Sequence, residues 1–255
     1  MKIPEDYIEF LYWFKTETET YWEIKPNSKA DDYLNESWIR GAKWVGLEED
    51  EIEKIESKYN ISFSSEHKEF LKILHALDKK HPVEFYDDND EICVEEDSFF
   101  YNWLTDEQEI KDTLYWPYRE IFHDVKKGVW LKSWKERPKS ENEIEKIFSD
   151  WYNKAPKLIP IHAHRFVVSG LDEIKSPVLS VWGSDTIVYG WSMKHYLLNE
   201  LKGYLDLFES VYDNDDKSWH SKPIKELQEF QNKEWELAKK KMIPYWSELI
   251  NLHKF

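Results

Sequence analysis

The stretch LIPIHAHRFVVSGLDEIKSPVLSVWGSDTIVYGWSMKHYLLNE, residues 158–200, decides how this chain is read. Two β-type runs, 158–168 and 177–190, flank a polar loop and lead straight into a helix capped by Ser192. Alternation along the first run puts His162 and His164 on one face, beside Phe166 and Val168, with Arg165 on the other. Asp185 follows Gly183-Ser184, where a strand bends or turns. His162, His164, Arg165 and Asp185 make the one compact polar cluster of the chain, and no phosphate loop accompanies it.

Outward from this stretch the pattern is largely helical. Ser140 and Glu143 have capping-box spacing and open a helix through about Asn153. Thr105 and Gln108 open another that ends near Trp116-Pro117. A short helix over 118–126 stops at Gly128, and Val129–Trp134 alternates as a strand. Ile52, Ile55 and Tyr59 recur at helical spacing. Ser65 then caps a helix over 66–77 with a stripe of Phe70, Leu71, Leu74 and Leu77. Short β-like runs, Val83–Tyr86 and Ile92–Val94, alternate with acidic loops. Helices are expected over 5–24, around 31–43, and from Pro223 onward, where Pro244 should kink or divide the last one. The chain reads as a single domain over 1–255, with 1–43 and 211–255 as helical additions.

Composition narrows the function classes. The chain has 255 residues, 14 Trp and only 7 Gly, which suits a large aromatic core better than a loop-rich fold or a glycine-rich nucleotide cradle. Cys93 is the only cysteine, so no intramolecular disulfide is possible, and its setting in Ile92-Cys93-Val94 reads as a buried strand. Met1-Lys2-Ile3-Pro4-Glu5-Asp6 is unlike a signal peptide, and no long apolar run suggests a membrane span; a cytoplasmic protein is expected. The net charge is −16, with acid strung together at Glu48–Glu53, Asp87–Glu91, Glu95–Asp97 and Asp213–Asp216. Direct nucleic-acid binding needs the opposite sign. A solvated surface explains such charge, and attraction to a basic protein partner is the sharper reading.

Each candidate residue has a plain structural role beside a functional one. His-x-His on a strand, with Asp185 from its neighbour, could ligate zinc, although the spacing arises by chance and no cysteine joins it. Arg165 could pair with Asp172, Glu173 or Asp185. Asp185 after a Gly-Ser turn more often bonds a nearby backbone N–H. Ser169-Gly170 and Ser184 lack the flanking elements of a nucleophile elbow. Most tryptophans are core by default, while some, Trp182 among the candidates, could line a groove with Tyr189. No catalytic set, no metal site and no cofactor site is assigned.

Two blocks together resemble the SUKH superfamily of bacterial immunity proteins and fungal cell-wall-synthesis regulators. The first is Trp44-Val45-Gly46-Leu47, then Glu51-Ile52-Glu53-Lys54-Ile55-Glu56, Tyr59-Asn60-Ile61-Ser62-Phe63 and Glu69-Phe70-Leu71, similar to the family's opening helix pair. The second is the Leu158–Ile161 strand, His164-Arg165-Phe166, Pro177-Val178-Leu179-Ser180-Val181 and Asp185-Thr186-Ile187-Val188-Tyr189-Gly190. The likeness covers about residues 44–210. Ser64 stands where the family has Pro, and His75-Ala76-Leu77-Asp78 replaces its Asn-Gly turn. The resemblance implies an α+β fold, with a mainly antiparallel central sheet packed by helices. It also implies no catalysis of its own, and binding of a cognate toxin, often a basic nuclease or deaminase.

Three functions are therefore in view. The first is a non-enzymatic protein-binding module that neutralises a toxin. The second is a regulatory or scaffolding protein that holds a peptide or small ligand in an aromatic groove marked by His164, Arg165, Asp185, Tyr189 and Trp182. The third is a metal-dependent hydrolase built on His162, His164 and Asp185. The partner's identity and the oligomeric state are open.

Overall fold

A computed structural model of the chain describes residues 3–24, 37–87, 89–171, 175–238 and 242–252. Helices combine with strands that pair antiparallel throughout, so the fold is α+β. The first elements are α1 (Tyr7–Ile24), β1 (Trp44–Val45), α2 (Glu49–Tyr59), α3 (Ser65–Ile73), β2 (Ala76–Leu77), β3 (Lys80–Tyr86) and β4 (Ile92–Ser98). Next come α4 (Glu107–Lys127), α5 (Glu141–Tyr152), β5 (Leu158–His162), β6 (Arg165–Val168), β7 (Val178–Trp182) and β8 (Asp185–Gly190). The chain ends with α6 (Met193–Glu200), β9 (Phe208–Asp213), β10 (Ser218–Pro223), α7 (Lys225–Ala238) and α8 (Trp246–Ile250). No described helix is long and apolar enough to cross a membrane. The described residues divide into two compact units, one from residues up to 48, 69–100 and 194–238, the other from 49–68, 101–193 and 242–252.

The second unit is built on a four-stranded sheet in the order β5-β6-β7-β8. Phe166 and Val168, Leu179 and Val181 alternate onto one face and are fully buried there. Helix α5 meets the same core with Ile144, Phe148 and Trp151, spaced four and three apart on one stripe. Helix α4 adds Ile121 and Val125, and α8 adds Trp246 and Leu249. Tryptophan edges meet faces here: Trp134 and Trp151 lie 5.5 Å apart and Trp151 and Trp246 5.4 Å apart, both near-perpendicular. The buried indole N–H of Trp246 donates to Pro156 O at 2.9 Å, so its burial leaves no orphan donor.

The first unit packs a different aromatic core, with Phe10, Phe14, Trp44, Phe70, Phe100 and Tyr196 all buried. Trp44 contacts Phe100 at 5.2 Å, and its indole N–H donates to the Thr18 hydroxyl at 2.9 Å. Glu19 and Lys15 of α1 fasten β1: Trp44 N–H donates to Glu19 at 2.9 Å and Lys15 Nζ donates to Trp44 O at 2.8 Å. Partial burial works against the Glu19 carboxylate, yet the bonds from Lys15 and Trp44 hold it below its ordinary range. A Cβ on Gly46 would lie 2.0 Å from the Lys72 carbonyl oxygen, so the chain passes α3 at a distance that only glycine permits. Beyond this core stand two separate hairpins, β3–β4 and β9–β10.

Several expectations are corrected. The runs 158–168 and 177–190 are each two strands joined by a tight turn. Helix α4 continues through Pro117, which is buried inside it, instead of ending there. Residues 129–134 form no strand: Leu131 and Trp134 are the buried pair, and a spacing of three is met by a 3-10 turn over Lys132–Trp134. Ser64, not Ser65, caps α3, accepting His67 N–H at 3.2 Å. Ile92 and Val94 are exposed and Cys93 half-buried, because a two-stranded hairpin has no second layer to bury them. The segment 211–255 is not wholly helical, since it supplies part of the β9–β10 hairpin before α7 and α8. Of the helix expected around 31–43, residues 31–36 lie outside the described residues and Ser37–Ile39 form a 3-10 turn.

Candidate functional site

In the β5–β8 meander successive strands reverse, so the β5–β6 and β7–β8 turns lie at one end of the sheet. The first turn is Ala163-His164, with Ala163 in the left-handed region at φ 43. Tyr101 clasps it: its N–H donates to Ile161 O and its hydroxyl to Ala163 O, each at 3.1 Å. The second turn is Gly183-Ser184, with Gly183 at φ 59. Asp124 of α4 closes it, accepting Ser184 N–H at 2.7 Å and the Ser184 hydroxyl at 2.9 Å on the same oxygen. A hydrogen bond from Val181 N–H to His164 O, 3.0 Å, joins the two hairpins.

Alternation places Arg165, Ser180, Trp182, Asp185, Ile187 and Tyr189 on the face opposite the core. A ladder of rings and cations runs from this face to α4. The Arg165 guanidinium stacks 4.0 Å from the centre of the Tyr189 ring and donates to Ser180 Oγ at 2.9 Å. Its other neighbour is His164 Nε2. The His164 ring stands edge-on to Trp182 at 5.8 Å, Trp182 contacts Trp116 at 5.5 Å, and the Arg119 guanidinium lies 5.0 Å from the Trp116 ring. Trp182 is 62% exposed, far too open for a core residue. Partial burial, then the Arg165 charge, hold His164 below its ordinary value, so its ring is neutral near pH 7; the positive charge is that of Arg165 and of Arg119, whose Nε already donates to Glu120 at 2.8 Å. Such a face can stack on planar groups and offer guanidinium N–H groups to carboxylates.

The structure thus brings His164, Arg165, Trp182 and Tyr189 together. Asp185 shares their face and sits opposite Trp182 across the turn. Asp172 and Glu173, the other expected partners of Arg165, lie outside the described residues. His162 and His164 do not share a strand face, because the chain reverses between them. Among the described residues the three metal-type groups that converge, within 4.8 Å, are Asp213, Asp216 and His220 on the β9–β10 hairpin, not His162, His164 and Asp185. Two of the three are already bonded to each other: His220 Nε2 lies 2.6 Å from Asp216, which also accepts Ser218 Oγ at 2.7 Å.

Trp116, Arg119 and Asp124 are the site residues that the sequence reading missed. They lie on one continuous helix, and a helix ending at Trp116-Pro117 separates them. A cavity of about 240 Å³ lies elsewhere in the same unit, among Tyr59, Ile61, Leu114, Tyr152, Pro156 and Trp246. Burial pushes the Tyr152 hydroxyl up, so it stays protonated. None of the five candidate residues lines that cavity. No protein-family model, no curated protein and no solved structure matches the chain.

Proposed function

We propose that this protein is a non-catalytic protein-binding module of the immunity type, which holds a toxin domain of net positive charge and blocks it. The observation that supports this most directly is the ladder of Tyr189, Arg165, His164, Trp182, Trp116 and Arg119, of which Trp182 and Arg119 are exposed and the others half-buried. It is rich in Trp, Tyr and Arg, the residue types that dominate binding hot spots. Its turns are pinned by Tyr101 and Asp124, which lowers the cost of ordering it on association. The net charge of −16 adds long-range attraction for a basic partner, and the second SUKH-like block coincides with the strands that carry the ladder.

The test is co-expression with the product of the adjacent reading frame. Restored growth and a complex that co-purifies are expected, with Trp182→Ala weakening it at least about tenfold, as for a hot-spot tryptophan. A neighbouring product that neither associates with the chain nor is relieved by it refutes the proposal.

A further inference from the structure

The β3–β4 hairpin of the first unit carries a surface that the ladder does not include. Its strands are 7 residues each and pair in unbroken register from Lys80↔Ser98 to Tyr86↔Ile92. An isolated two-stranded hairpin is marginal in water, so what its faces and edges meet matters. The β3 side is engaged: Trp38 packs edge-on against His81 at 5.0 Å, and Pro82 has no N–H to offer a further strand. Among the described strands β4 pairs with β3 alone, and from Ile92 to Ser98 it contains neither Pro nor Gly. Its outer edge therefore presents a row of backbone donors and acceptors, although one β4 carbonyl, Glu96 O, already accepts Lys80 Nζ at 3.4 Å.

The side chains beside that edge say what fits. Tyr86, Ile92 and Val94 fall on one face and are 71%, 61% and 59% exposed, an apolar strip where a solvated strand would carry polar groups. Glu84 and Glu96 share that face, Glu95 and Asp97 occupy the other, and Asp87, Asp90 and Glu91 surround the turn. The Asp87 carboxylate is engaged in shaping that turn, accepting the N–H groups of Asn89 and Glu91 at 2.9 Å each. A second copy of the chain would set Glu95, Glu96 and Asp97 against their own equivalents, and like charges across strands repel. A strand alternating basic and β-branched residues meets opposite charge along the edge and covers the apolar strip.

We infer that the outer edge of β4 receives an extended basic segment of a partner protein by strand addition, with Tyr86, Ile92 and Val94 as its apolar floor. This rests on the protein-binding reading only in taking the ligand to be a polypeptide.

The probe is a ten-residue peptide alternating lysine and valine, fluorescein-labelled and titrated with the full chain, beside its glutamate–valine counterpart. Binding of the lysine peptide alone is expected, with hydrogen-exchange protection confined to Ile92–Ser98 and the strands' immediate neighbours. Raising salt from about 50 to 500 mM should weaken it several-fold. Glu95→Lys combined with Asp97→Lys should weaken it at least about tenfold, as complementary charge predicts. Ile92→Asp should also weaken it, with unchanged thermal unfolding showing that the variants fold. Equal binding by the charge-reversed variant, protection elsewhere, or no binding of the lysine peptide overturns the inference. A toxin complex that forms but ignores the β4 variants removes this surface and leaves the proposed function standing. Peptide binding at β4 without any toxin complex does the reverse.

Discussion

Gly183→Ala tests the architecture of the ladder most sharply, because two separate costs can be worked out. At φ 59 an alanine adopts a left-handed conformation, which costs about 1–2 kcal/mol. Its Cβ would also lie 2.4 Å from Asp124 Oδ2, so the carboxylate must leave the position from which it accepts both Ser184 N–H and the Ser184 hydroxyl. Bonds to a charged acceptor contribute about 1.5–3 kcal/mol when buried. Asp124 is only half-buried, which brings the pair to about 1–3 kcal/mol together. Gly183→Ala should thus cost about 2–5 kcal/mol, whereas in an Asp124→Ala background only the conformational part, about 1–2 kcal/mol, should remain. Urea unfolding followed by tryptophan fluorescence on all four proteins gives the coupling energy directly. Equal costs in the two backgrounds would show that the close approach of Asp124 is not what demands glycine.

Other substitutions separate packing from binding. Phe148→Ala removes a fully buried ring that stacks on Phe122 and touches Trp151, and should cost about 3–5 kcal/mol in the same assay. Gly46→Ala drives a Cβ against the Lys72 backbone, which cannot yield as a side chain can, so poor soluble yield and an early thermal transition are expected. Trp182→Ala should change stability by less than about 1 kcal/mol, its ring being mostly exposed, while abolishing most partner affinity. Acid should act through two groups. His164 is held below its ordinary value, so the unfolded chain takes up the proton first; stability falls as pH drops from about 6.5 through the folded value. An NMR titration should show that low value and its rise in Arg165→Ala. Glu107, held at about 2 by Lys111 and then Lys58, contributes stability above about pH 4.5 that is lost as pH falls towards 2; Lys58→Ala with Lys111→Ala should flatten that acid limb.

Periodicity made the amphipathic helices legible, since α2 and α5 bury residues at spacings of three and four. The strand character of 158–190 was equally plain from its Val, Ile and aromatic content. The turn at Ala163-His164 was hidden because neither residue is a usual turn former; Tyr101, distant in sequence, holds it. Pro117 misled in the other direction, since burial against the core outweighs the lost helical bond. The β9–β10 hairpin had a local signal in Asp213-Asn214-Asp215-Asp216, which charge alone obscured. Strand pairing, which alternation within one run does not give, sets Arg165, Trp182, Asp185 and Tyr189 on one face. The contributions of Trp116, Arg119 and Asp124 depend on the β7–β8 turn meeting α4, which no local pattern encodes.

The two units are threaded through one another in the chain, changing over after residues 48, 68, 100, 193 and 240. Neither can be cut out as a single contiguous fragment: Ile121 and Trp246 share one core, yet residues 194–240, between them in the chain, belong to the other unit. Long loops must close before either core is complete, so the molecule should fold slowly. Dissection by truncation is therefore closed to the experimenter. The ladder and the β4 edge have to be separated by point substitution, in the intact chain.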